Sequence, residues 1–218
     1  MPSRGTIVNH PLQCRCGTLK GTVSAPRTAN RVVCYCMDCQ AFAHFLGRPD
    51  DVLDERAGSE VVQVLPKRIV LSRGIEALAC IRLTPKGLIR WYAGCCNTPV
   101  GNTLATPRIS FIGLLHSCLQ DPASPLDESF GPVRAWVNTG GASGTPKPPS
   151  RGQARTVFWF ITTTVKARIS GSYRQSPFFD AVKATPIVLP RVLSAADHTS
   201  LMNTARSAHI RRRAPCAG

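Results

Sequence analysis

The sequence is poor in long apolar runs. Its most continuous strongly apolar stretch, VFWFI at residues 157–161, is far too short to span a bilayer, and MPSRGTIVNHPLQCRCG at the start has no apolar segment of signal-peptide length. A soluble, cytoplasmic protein with no membrane partner is expected. No Asn-x-Ser/Thr sequon occurs, heptads are absent, and there is no nucleophile elbow, phosphate-binding glycine loop or paired-carboxylate motif. The common hydrolase and nucleotide-binding signatures are thereby set aside. Acidic residues are also scarce: 12 Asp and Glu face 27 Lys and Arg, for a net charge of +15. The excess is uneven, +9 for residues 151–218 against +6 for residues 1–150, and the chain's Arg211-Arg212-Arg213 run makes its end a candidate contact for nucleic acid or another polyanion, or simply a solvated tail.

What is abundant is proline (18), glycine (17) and cysteine (10). The first two imply many turns between short elements, and with 218 residues to bury one good core the expected class is mainly β. VVQVLPKRIVLSRG (61–74) and LACIRLTPKGLIRWYAG (78–94) read as strands broken at Pro66, Gly74, Pro85 and Gly87, with TPKG as a hairpin turn. NTGGASGTPKPPSRG, residues 138–152, has almost no apolar side chains and reads as an exposed loop or linker. It separates a cysteine-bearing domain, 10–137, from a basic, partly helical extension, 153–218. Within that extension ARTVFWFITTTVKARISG has helix-compatible spacing up to Gly171, and a second helix starts at Ser194, an N-cap followed by Asp197.

Seven of the ten cysteines fall into three groups: Cys14 and Cys16 in LQCRCG, Cys34, Cys36 and Cys39 in CYCMDCQ, and Cys95 and Cys96 in YAGCCNTPVGN. Within each group the neighbours are too close in sequence to bridge one another comfortably, so metal thiolates explain the spacing better than disulfides. Residues i and i+2 of a strand share a face, and two sulfurs on one tetrahedral zinc sit about 3.8 Å apart, which a tightened turn supplies. Thiolate ligands favour zinc over magnesium, calcium or manganese, with an iron–sulfur cluster as the main rival. Seven thiols suffice for two zinc ions.

The order C-x-C-G, then C-x-C-x-x-C-Q some twenty residues on, then an aromatic strand leading to Cys96-Asn97-Thr98-Pro99, resembles the glutathione-dependent formaldehyde-activating enzyme / centromere protein V family. By motif the likeness covers residues 12 to about 105, and QSPFFDAV and PRVLS near 174–194 resemble an uncharacterised bacterial subgroup. The resemblance implies an Mss4-like, mostly β fold. It further implies that Cys14 and Cys16 serve a structural zinc, and that Cys34, Cys36 and Cys39 hold a second zinc with an open position. There a thiol such as glutathione would meet an aldehyde, a carbon–sulfur lyase activity. One departure stands out: where the family has a cysteine three residues before Cys96, this chain has Ala93. Cys95 is the nearby substitute. If the backbone turns, as Gly94 would permit, Cys95 and Cys96 share one ion; otherwise Cys95 is free to close the second site.

Two plainer readings stand beside this one. The zinc sites could be purely structural in a non-catalytic binding module. His44, Gln40 and Asp38 could serve the second site, or be ordinary packing and turn residues. Trp91 and Tyr92 read as core, and Cys80, Cys118 and Cys216 as isolated thiols.

Overall fold

The computed structural model describes residues 9–211. Eleven strands run in the order β1 (Asn9–Gln13), β2 (Lys20–Ser24), β3 (Asn30–Cys34), β4 (Ser59–Val64), β5 (Ile69–Arg73), β6 (Leu78–Arg82), β7 (Ile89–Ala93), β8 (Thr98–Thr103), β9 (Ile112–Leu115), β10 (Ala135–Val137) and β11 (Arg191–Val192). Five helices accompany them: α1 (Met37–Phe45), α2 (Pro49–Val52), α3 (Leu126–Phe130), α4 (Gln153–Ile169) and α5 (Ala195–Arg211). The fold is mainly β, as the turn-rich composition predicts. Arg212, Arg213 and Cys216 lie outside the described residues.

The strands form a three-stranded sheet, β1-β2-β5, and an eight-stranded open sheet, β10-β3-β4-β9-β8-β7-β6-β11. All pairings are antiparallel except at the two edges of the larger sheet, where β10 lies parallel to β3 and β11 parallel to β6. The TPKG hairpin forms as read: Gly87 N–H bonds to the Thr84 carbonyl at 3.0 Å, and Leu78 pairs with Ala93 across β6 and β7. Alternation along each strand then sorts side chains between two faces. Val62 and Val64 of β4, Ile112 and Leu114 of β9 and Trp91 of β7 turn to the smaller sheet, where they meet Leu12, Val23 and Ile69 in the main core. Ile81 of β6 turns the other way, onto Phe42 of α1. A sheet covered on both faces buries its central strands wholly, and every residue of β8 and β9 is buried.

The C-terminal stretch shares this core. Phe178 and Phe179 pack on Trp91 with ring centroids 5.1 and 6.3 Å away, and α5 lays Leu201, Met202 and Ala205 near α1. Helix α4 spans the expected segment. Its three consecutive threonines, Thr162, Thr163 and Thr164, are accommodated because each hydroxyl donates back to carbonyls three and four residues earlier. Ser194 caps α5, accepting the Asp197 N–H at 3.1 Å. No helix among the described residues is long and apolar enough to cross a membrane.

Candidate metal centres

Two turns from opposite ends of the cysteine region meet to build the first cluster. After β1, the Cys14 carbonyl accepts from Gly17 N–H at 2.9 Å, and Gly17 takes the left-handed conformation (φ 74°) that lets the chain reverse into β2. The turn between β7 and β8 closes with Cys96 N–H on the Ala93 carbonyl at 3.3 Å. The residue with positive φ in that turn is Asn97 (54°), whereas Gly94 keeps an ordinary backbone. The expected permission from Gly94 is therefore supplied by Asn97, whose short amide side chain tolerates the left-handed region. Because the chain curls there instead of extending, consecutive residues no longer face opposite ways.

The result is a four-thiol cluster of Cys14, Cys16, Cys95 and Cys96 with all sulfurs within 4.8 Å of one another. Cys14 Sγ lies 3.5 Å from Cys16 Sγ and 3.8 Å from Cys95 Sγ; Cys16 and Cys95 are 3.3 Å apart, and Cys95 and Cys96 3.8 Å. Those separations bracket the spacing of about 3.8 Å that a tetrahedral thiolate zinc imposes. The surroundings treat the sulfurs unequally: Leu19 N–H donates to Cys14 Sγ at 3.2 Å although burial raises that thiol and Cys95, whereas the Thr18 hydroxyl, 3.2 Å from Cys16 Sγ, holds that exposed thiol down to about 6. Thr98 ties the two turns together, accepting Arg15 N–H at 3.0 Å while lying 3.1 Å from Cys96 Sγ. The cluster could hold a metal ion.

The second cluster, Cys34, Cys36 and Cys39, has its three sulfurs within the same 4.8 Å limit. A turn is all its spacing requires, but a helix forms: Cys34 ends β3, Cys36 is the N-cap of α1, and Cys39 sits in the first helical turn. The trio thus occupies the positive end of a helix, which favours thiolate over thiol. Asn138 Nδ2 donates to Cys34 Sγ at 3.3 Å. With only protons to share, the trio polarises. Hydrogen bonds from Cys36 and then Cys39 drive the Cys34 thiol far down, and the same sharing raises Cys36 and Cys39. Such a set could also hold a metal ion, with one fewer sulfur.

The loop after β10 is brought over this cluster. Its composition predicts an exposed loop or linker, and most of it is exposed or half-buried, but Ala142 and Ser143 are buried. The cause is a close backbone approach: a Cβ on Gly141 would stand 2.1 Å from the Tyr35 carbonyl oxygen. Gln40, buried in α1, donates to that carbonyl at 3.0 Å and to the Gly141 carbonyl at 2.9 Å, so its amide clamps the loop and does not reach a sulfur. Asp38 lies at the rim, 3.6 Å from Arg90 Nη2. His44 is half-buried further along α1 and does not line the cavity beside the trio.

That cavity, about 260 Å³, is bounded by the three cysteines, by apolar Val32, Val61, Leu88 and Phe111, and by Arg90, Asn102 and Asn138. The last three were not legible as site residues; only the pairing of β7 with β8 and the return of the loop at 138 bring them there. A larger cavity of about 520 Å³ adjoins Cys14, beside the four-sulfur set. The remaining thiols are apart from both clusters. Cys80 donates to the Val188 carbonyl and Cys118 to that of Leu115, and burial pushes each up to about 12. All nine described cysteines are unbridged.

Comparison with solved structures finds a crystal structure of a Rhodobacter sphaeroides protein, 18% identical, with 58% of this chain and 99% of that one aligned at a TM-score of 0.38. No curated protein matches. A family model does match, over residues 6–185, and so includes both cysteine clusters and the loop that joins the second: the chain belongs to a family of unknown function, DUF6151.

Proposed function

We propose that the protein binds two zinc ions for two different purposes. Cys14, Cys16, Cys95 and Cys96 would hold a structural ion. Cys34, Cys36 and Cys39 would hold a second ion whose fourth position accepts the sulfur of a small thiol, and the protein acts as a carbon–sulfur lyase on thiol–aldehyde adducts, with glutathione as the type thiol. The single observation that carries this reading is the placement of Cys95. Its sulfur lies 3.3 Å from that of Cys16, in the four-thiol set, so the trio is left one ligand short beside a cavity. The motif likeness to the formaldehyde-activating family supports the same division, and unbridged thiols suit a reducing, cytoplasmic setting.

When bound, zinc supplies a lowered thiol pKa and a fixed sulfur position. The chain's own residues do the rest. Asn138 N–H donates to the Cys34 sulfur, the α1 N-terminus turns its positive end to the three ligand sulfurs, and the walls of Val32, Val61, Leu88 and Phe111 limit water around the incoming sulfur. In the forward direction the thiol sulfur forms a bond to the aldehyde carbon. The carbonyl π pair moves to oxygen, which takes the proton the thiol gave up, so nothing is oxidised or reduced; the lyase direction is the reverse.

The test is direct. Zinc-loaded protein is titrated with small thiols by calorimetry, and adduct formation with formaldehyde is followed by NMR against the uncatalysed rate and against Cys34→Ser. Binding heat and a rate above background, both lost in C34S, are expected. Neither signal in fully loaded protein would leave a non-catalytic zinc module, to which the charge of +15 offers polyanions as partners.

A further inference from the structure

Two arginines are buried among the described residues, and the protein treats them differently. Arg31 is fully paired: Nη2 meets Glu60 at 2.6 Å, and Nη1 meets both Asp127 and the Gly131 carbonyl. Arg90, with 3% exposure, has no such enclosure. Among the described residues its guanidinium makes one hydrogen bond, a long one, from Nη1 to Asn102 Oδ1 at 3.4 Å across the β7–β8 pair. Its only carboxylate neighbour among the described residues, Asp38, stands 3.6 Å away with 54% of its side chain in solvent. The Phe42 ring packs 5.4 Å from the guanidinium carbon. A guanidinium offers five N–H donors, most of them unused here, and an underpaired buried charge is unfavourable, so the arrangement suits an anion. Arg90 and Asn102 line the same cavity as Cys34, Cys36 and Cys39.

We propose that Arg90, positioned by Asn102, is a carboxylate-binding subsite of this cavity, so that its ligand is a small mercapto acid whose sulfur goes to the trio and whose carboxylate goes to the guanidinium. This rests on the reading that the trio holds an ion able to take a thiol. The planar fork of an arginine matches a carboxylate bidentately. A doubly charged phosphate fits less well. Three thiolates on a divalent ion and Asp38 already place negative charge beside the guanidinium, so each further negative charge is opposed and a singly charged carboxylate is accommodated better than a doubly charged phosphate. Size points the same way: about 260 Å³ is below the range of about 300 to 1,000 Å³ usual for drug-sized ligands, room for a few-carbon acid or for the thiol end of a tripeptide.

Zinc-loaded full-length protein is titrated by calorimetry with 3-mercaptopropionate and with its neutral isostere 3-mercaptopropionamide, and zinc content is measured on every sample. The wild type is expected to prefer the acid by about tenfold or more, the scale of a charge-assisted hydrogen bond. In Arg90→Gln the preference falls to near one while two zinc ions stay bound; Asn102→Ala lowers it partway. Equal binding of acid and amide by the wild type overturns the subsite and leaves the thiol reading standing. No binding of either thiol removes both. Loss of zinc from the trio in folded R90Q would make Arg90 a charge-balancing group and overturn the subsite. Should R90Q not fold, Arg90→Lys and the wild-type preference itself decide the matter.

Discussion

The two cysteine clusters use the same ligand atom in opposite ways. The four-thiol cluster joins turns that are distant in sequence, Cys14 and Cys95 being 81 residues apart. The trio is local, lying within six residues at the junction of β3 and α1. A metal that cross-links distant residues removes far more freedom from the unfolded chain than one that closes a tiny loop. Logarithmic scaling of loop entropy puts the difference between the two at about 2–3 kcal/mol. A long-range closed set therefore suits stability, whereas a local set contributes little to the fold and can leave a coordination position for chemistry.

That contrast is broken or sharpened by a graded series of changes. Cys95→Ser should have the largest effect, losing one of two zinc ions and about 4 kcal/mol or more of stability, as removal of a structural site does. Metal analysis and denaturant unfolding check it. Cys34→Ser should also lose one ion but cost about 2–3 kcal/mol less; a larger loss than in C95S would reverse the roles assigned to the clusters. Metal release with acid should separate them next. Ligand thiols must be deprotonated to bind, so protons compete increasingly as pH falls, and the three-sulfur site should empty at a higher pH than the four-sulfur site. A zinc indicator dye followed from pH 7 to 4 gives two steps in the wild type and one in C34S. Asn138→Ala removes the N–H donor to Cys34 and should weaken zinc at the trio by about tenfold, the lower end for groups that orient metal ligands, with the four-thiol site unchanged in chelator competition.

The smallest effect concerns the strand that leads into Cys14. His10, fully buried in β1, lies 2.8 Å from the Leu119 carbonyl through Nε2 and 2.8 Å from Ser129 Oγ through Nδ1. A carbonyl accepts only, so Nε2 carries a proton, and in the neutral ring Nδ1 accepts from the Ser129 hydroxyl. Burial lowers its pKa below the ordinary 6.5. In that window the unfolded chain takes up the proton first, so this contribution to stability is present above pH 6.5 and is lost as pH falls from 6.5 through the folded value. His10→Gln should flatten the dependence of unfolding free energy on pH as pH falls below 6.5. An unchanged slope would transfer the effect to His116, whose pKa burial also lowers.

Much of the fold could be read from the chain because the information is local. The TPKG hairpin, the break at Pro66 and the Ser194 cap each depend on a few adjacent residues, and each forms. Local reading failed where a distant segment intervened. The stretch 138–152 looks exposed by composition, yet Gly141 allows it to lie against Tyr35 and bring Asn138 to Cys34. Arg90 reads as one more charge in a strand of a basic protein, and only register sets it opposite Asn102 at the cavity. The start of α1 at Cys36 was also hidden, since a C-x-C-x-x-C spacing is met equally well by a turn.

By itself, then, the sequence determines which sulfurs stand together at short range: Cys14 with Cys16, the trio from Cys34 to Cys39, and Cys95 beside Cys96. Chain connectivity alone keeps each group local, Cys34 and Cys39 no more than about 18 Å apart even in an extended chain. It does not determine which group Cys95 completes. That is decided by the tertiary structure, in which the left-handed turn at Asn97 lays the β7–β8 connection against the turn after β1. Sheet register over 81 residues, a property of the whole core, uses the fourth sulfur at one site and leaves the other with three.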